Sequence, residues 1–101
     1  MIVNTTRVIG NPENRREFFQ AIKPLLPPIK SAKGCVAFGL YVDTTDENSF
    51  LLIGEWETEN DLDNYCRSND FAVLRGAINT LGVSSFPLRA QVLSRSTHLR
   101  P

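Results

Sequence analysis

Two neighbouring strand-like runs, 35-CVAFGLYVD-43 and 49-SFLLIGEWE-57, are apolar on both parities. Side chains alternate across a strand, so residues i and i+2 line one face. In the first run Val36, Phe38, Leu40 and Val42 point one way and Cys35, Ala37, Gly39 and Tyr41 the other. In the second, Phe50, Leu52, Gly54 and Trp56 oppose Leu51 and Ile53. An antiparallel sheet with helices on one side only turns a polar face to water. This one offers apolar side chains to both sides, so its second face needs cover that the chain does not contain. The expected cover is the same face of a second copy, because two-fold homodimers are the commonest oligomers.

The rest of the chain supplies the helices. Residues 2–9, IVNTTRVI, are rich in β-branched side chains and end at Gly10, which predicts a first strand. Asn11 then caps a helix with Pro12 at its first position and Glu13 near its positive end. Phe18, Ile22, Leu25, Leu26 and Ile29 follow at helical spacing. Pro24 removes a backbone donor and predicts a kink, 27-PP-28 ends or restarts the last turn, and Gly34 closes the segment. The polar stretch 44-TTDEN-48 reads as the turn of a hairpin joining the two apolar runs.

Beyond the hairpin, Thr58 with Asp61 resembles a capping box. Ser68 starts a further helix with Phe71, Leu74, Ala77, Ile78 and Leu81 on one face and Gly82 as its C-terminal cap. A last strand over about 86–95 completes the order β-α-β-β-α-β. The expected architecture is α+β and ferredoxin-like, an antiparallel sheet with helices on one face, as a single domain over 1–95 followed by a tail, 96–101.

Eleven basic and eleven acidic residues cancel without a long run of either sign, so no nucleic-acid partner is expected. No apolar run approaches the roughly 20 residues of a membrane span, and the N-terminus lacks the pattern of a signal peptide. Two cysteines and one histidine fit no metal-ligand spacing. The reading is a reduced, cytoplasmic chain without bound metal, with Cys35 and Cys66 as buried small apolar groups.

With that order in place, 34-GCVAFGLYVD-43 and 50-FLLIGEWETENDLDNYCRSNDF-71 resemble the antibiotic biosynthesis monooxygenase family over nearly the whole chain. The matching positions are Gly34 and Cys35, Tyr41 and Asp43, Glu55 and Trp56, then Leu62, Ser68 and Phe71. The resemblance implies a dimeric α+β barrel whose subunits each hold a pocket between sheet and helices. It also implies oxygenation of a small aromatic or quinol-like substrate by molecular oxygen without metal, flavin or other cofactor. The pattern departs in one respect: where the family carries histidines in Leu-x-x-His and just before the phenylalanine, this chain has Tyr65 and Asp70.

At the family's tryptophan position, Trp56 is a catalytic candidate whose indole N–H suits a substrate oxyanion, or else a core aromatic bonded to backbone. Tyr65, the other catalytic candidate, is a donor more readily than a base, or an amphipathic core edge. Asn4 stands where relatives use an asparagine to hold substrate, and Thr6 shares its parity; both are substrate-binding candidates, as are Tyr41 and Arg89. Tyr41 with Asp43 otherwise serves the sheet end and its turn, and Arg89 is otherwise a solvated or interface arginine. Asp70 near a helix start reads as structural, and His98 belongs to the tail. The family's heme-degrading branch needs a histidine on the last helix, where this chain has Arg75. The leading expectation is therefore a cofactor-independent monooxygenase, and the alternative is a non-catalytic dimeric module that binds a small molecule in the same cavity.

Overall fold

The computed structural model describes the backbone of residues 1–91 and the side chains of residues 1–81. Four strands, β1 (Ile2–Gly10), β2 (Cys35–Asp43), β3 (Asp46–Trp56) and β4 (Gly82–Gln91), form one sheet in the order β2-β3-β1-β4. Every neighbouring pair is antiparallel. Helices α1 (Arg15–Ile22) and α2 (Leu26–Lys30) connect β1 to β2, and α3 (Glu59–Cys66) and α4 (Asn69–Leu81) connect β3 to β4. This is the ferredoxin-like α+β arrangement that the element order predicts.

The core lies between the helices and one face of the sheet. Val8 on β1, Phe50, Leu52 and Trp56 on β3 and Phe38 on β2 meet Phe18, Ile22, Ile29, Leu62, Leu74 and Ile78 from the helices. Removing this apolar surface from water is the main driving force for the fold. On the other face, Leu51 and Ile53 are half-buried and Ala37, Tyr41 and Arg7 exposed. The pairing Arg7, Leu51, Tyr41 runs as one row across three strands.

The proline-rich connection is built as its residues dictate. Asn11 accepts from the Glu13 N–H and opens a short 3-10 turn, Pro12–Asn14, so α1 starts three residues later than the cap predicts. Pro24 falls inside a second 3-10 turn, Lys23–Leu25, and 27-PP-28 opens α2, where missing N–H groups cost nothing. Gly34, at φ 80°, then turns the chain into β2. A side chain there would also collide with the Asp61 carboxylate, so the position needs glycine twice over.

Four expectations are corrected. The hairpin turn is Thr44–Thr45 rather than 44–48, with Asp43 paired to Asp46. The Asp43 carboxylate accepts from the Thr45 N–H at 2.8 Å and its hydroxyl at 2.7 Å, closing the turn early and letting the polar residues Asp46–Asn48 join β3. In β2 the ladder slips between Cys35 and Ala37, leaving Val36 as an extra residue. Cys35 therefore packs on the helix-side core with Phe38 and Leu40, not beside Ala37 and Tyr41. Gly82 is no isolated cap: β4 starts there, paired with Gly10, four residues before the expected start, and 92–95 lie outside the described residues. Both cysteines are unoxidised thiols, half-buried rather than buried.

Candidate functional site

Strand β1 turns its even-numbered residues toward the helices, which places Asn4 between the core positions Ile2 and Val8. Trp56, fully buried at the end of β3, donates its indole N–H to Asn4 Oδ1 at 2.9 Å. An indole nitrogen can only donate. It therefore fixes which end of the Asn4 amide faces it and turns the NH2 group, with two donors, the other way. Gly54 is the cross-strand partner of Asn4. A Cβ at Gly54 would approach Trp56 Nε1 to 2.8 Å and Phe38 Cδ2 to 2.9 Å and collide with Asn4 Oδ1, so the bare glycine makes room for the bond.

Thr6 sits two residues along the same face, half-buried and registered against Leu52 and Pro87. Arg89 is registered against Asn4 on β4, which brings its backbone to this end of the sheet; its side chain lies outside the described residues. Trp56 and Asn4 thus form a direct pair, with the Arg89 backbone on the same rung as Asn4 and Thr6 two residues along.

Tyr65 backs this pair from α3. Its ring stacks on the Trp56 indole with centroids 4.8 Å apart and takes Phe71 and Phe38 edge-on at 5.3 and 5.9 Å. Such pairs add to stability beyond the area they bury. Burial, with smaller contributions from Cys66, Asp70 and Cys35, pushes the Tyr65 phenol well above its ordinary value. It stays protonated at neutral pH and cannot take a proton from a substrate. Tyr65 lines a cleft of about 150 Å³ together with Lys33, Asn64 and Asp70, and none of Asn4, Thr6 or Trp56 lines it.

Local capping explains why Tyr65 stands where it does. Thr58 caps α3, its Oγ1 accepting from the Asp61 N–H at 3.1 Å and donating to Asp61 Oδ2 at 2.9 Å. Ser68 breaks the path between the helices: its hydroxyl donates to the Tyr65 carbonyl at 2.6 Å and accepts from the Phe71 N–H at 3.2 Å. Tyr65 is thereby held at the end of one helix and Phe71 at the start of the next.

Tyr41 belongs elsewhere. It is 55% exposed on the open face and lines a cleft of about 280 Å³ with Arg7, Ser49 and Leu51. Asp43 holds the hairpin turn, as its alternative reading expects, and its hydrogen bonds from Thr45 lower its carboxyl below the ordinary value. Asp70 is exposed at the start of α4. The Cys35 thiol is pushed up by burial. His98 lies outside the described residues. Among those described, no group of three or more His, Cys, Asp or Glu side chains is placed to hold a metal ion, and no helix is long and apolar enough to cross a membrane.

Sequence reasoning found Asn4 and Trp56 singly but missed that they bond to each other and that Gly54 makes room for the bond. The signal was available in the shared parity of Gly54 and Trp56, one strand away from Asn4.

Solved structures repeat the fold. The chain superimposes on an antibiotic biosynthesis monooxygenase with a TM-score of 0.82 at 22% identity, covering 93% of this chain and 100% of that one. A conserved protein from Methanosarcina mazei Go1 gives 0.83 at 21% identity, over 89% and 90% of the two chains. Rv0793 from Mycobacterium tuberculosis gives 0.84 at 15% identity, over 95% and 98%. In sequence, the chain is 33% identical over 60 residues to the uncharacterized protein sll1783 of Synechocystis, a match that takes in 55% of this chain and 41% of that protein. The chain thus spans less than half the length of that relative. The model of the family described as antibiotic biosynthesis monooxygenase matches residues 1–76, a stretch that carries β1 with Asn4, the hairpin with Gly54 and Trp56, and α3 with Tyr65. On that match the chain belongs to the antibiotic biosynthesis monooxygenase family.

Proposed function

We propose that this chain is a cofactor-independent monooxygenase acting on a small aromatic or quinol-like substrate with molecular oxygen, as a homodimer joined through the open sheet faces. The single observation that carries the reaction is the Trp56–Asn4 hydrogen bond, which presents the Asn4 amide as a pre-oriented donor beside a buried aromatic wall. A substrate that has lost a phenolic or enolic proton carries charge on oxygen, and a donor already aimed at that oxygen stabilises the anion without reorganising. The anion passes electrons to dioxygen. One oxygen atom stays on the substrate carbon as a carbonyl, and the other leaves as water with the two hydrogens that carbon gives up.

The site provides orientation and anion stabilisation rather than a base. Tyr65 and Asp70 occupy the family's histidine positions, and the Tyr65 phenol is held protonated. The substrate must therefore be acidic enough to ionise to water. Tyr65 keeps Trp56 in place, Thr6 lies along the same face, and Arg89, on the same rung as Asn4, balances the substrate's charge. Tyr41 serves the dimer face instead.

Oxygen consumption with a panel of anthrones and quinols tests the reading. Uptake is expected with the unmodified chain, with a loss on the order of a hundredfold in Asn4→Ala and about tenfold in Trp56→Phe, where the amide is no longer fixed. Full activity in Asn4→Ala would overturn the role given to the pair. The missing base also favours the binding module, and no uptake above that of a Trp56→Phe, Tyr65→Phe double variant, with ligand binding intact, decides for it.

A further inference from the structure

The open face of the sheet carries its charge at two separate levels. β1 and β3 turn their odd-numbered residues to this face, since Val8, Phe50, Leu52 and Trp56 belong to the core on the other. Its rungs therefore read Val3–Glu55–Ala37, Thr5–Ile53–Gly39 and Arg7–Leu51–Tyr41. Among the described residues of these rungs, Glu55 is the one acid and Arg7 the one base. They lie on the two outer rungs, about 13 Å apart along the strands at roughly 3.3 Å per residue, with Ile53 midway. No ion pair joins them among the described residues. Asp43 is near enough to Arg7 to act on it electrostatically, but its carboxylate is engaged by Thr45 in the hairpin turn.

In a single copy water serves both charges. A second copy on the face takes that water away, and a charge withdrawn from water needs an opposite charge beside it. Aligned sheets keep their strand directions within about 30° of each other, which leaves two ways to relate the copies by a two-fold axis. An axis along the strands keeps each rung at its own level, so Arg7 meets Arg7 and Glu55 meets Glu55. An axis across the strands, over the Thr5–Ile53–Gly39 rung, exchanges the two outer rungs. Like charges set against each other oppose the first arrangement, and complementary charges favour the second. We propose that the two copies pack with their strands in opposite senses, so that Arg7 of each meets Glu55 of the partner subunit and Ile53 packs on its own copy. This arrangement rests on the sheet-face dimer of the proposed function and adds its sense and its charge pairs.

Sedimentation of the full chain at physiological ionic strength tests it. Arg7→Glu and Glu55→Arg are each expected to weaken dimerisation on the order of a hundredfold, since each sets two like-charged pairs across the interface. Glu55→Gln, which keeps the shape of the side chain, is expected to weaken it about tenfold. A chain carrying Arg7→Glu and Glu55→Arg together reverses both ends and is expected to dimerise within about tenfold of the unmodified chain. Lys33→Glu makes the same change of net charge on the helix side, beside Asp61 and Tyr65, and is expected to leave the dimer unaltered. Single variants that dimerise as tightly as the unmodified chain, a reversed chain as weak as the single variants, or an equal loss in Lys33→Glu would overturn the charge pairs and leave the sheet-face dimer standing. A monomeric unmodified chain would overturn both.

Discussion

Trp56 spends its one donor on Asn4, and Tyr65 keeps its hydroxyl free of any described partner. That division makes the two residues separable by experiment. Placing a methyl group at Gly54 strikes the bond itself: Gly54→Ala is expected to cost about 1–3 kcal/mol by overpacking, with a shift in Trp56 emission and a lower midpoint in urea as the readouts. Tyr65 makes a prediction about alkali. Its ionisation is pushed up in the folded chain, which keeps a proton that the unfolded chain gives up near pH 10. Stability from this group is fully present below about pH 10 and falls as pH rises beyond it. Denaturation midpoints between neutral pH and alkali are expected to fall less steeply in Tyr65→Phe than in the unmodified chain. At this scale the sequence was legible in kind but not in partnership. Asn4 and Trp56 stand 52 positions apart, and only the register of β1 on β3 makes them neighbours.

The elements were legible wherever a local rule fixes an end. Asn11 and Thr58 cap as their side chains allow, Gly34 takes the left-handed turn, and the prolines sit where helix geometry tolerates them. Thr58→Ala removes a bond to the Asp61 N–H and another to its carboxylate, and is expected to cost about 1 kcal/mol, read as a fall in Tm of roughly 5 °C. Misreadings came where a polar side chain replaces backbone or where pattern carries no phase. Asp43 closes a two-residue turn that composition spreads over five residues, and an unbroken apolar run gives no sign that the ladder skips Val36. Alternating patterns reveal a slip because it turns a polar residue inward. β2, apolar on both parities, hides it.

At the scale of the whole molecule, the topology followed from the order of elements, while the open face remains an argument about what the chain lacks. Ile53 sits near the middle of that face, paired with Thr5 on one side and Gly39 on the other. Ile53→Lys places a charge where two copies would meet, and sedimentation is expected to show a dimer for the unmodified chain and a monomer for the variant. A monomer for both would remove the dimer from the proposal. Sheet assemblies have another way to grow, sideways through unpaired edges, and β2 lies on such an edge. The extra residue at Val36 interrupts the regular row of backbone donors and acceptors there, leaving a poorer template for another strand. In the proposed face-to-face pair, the same slip that hid Cys35 from the sequence would also make the β2 edge a poorer site for sideways growth.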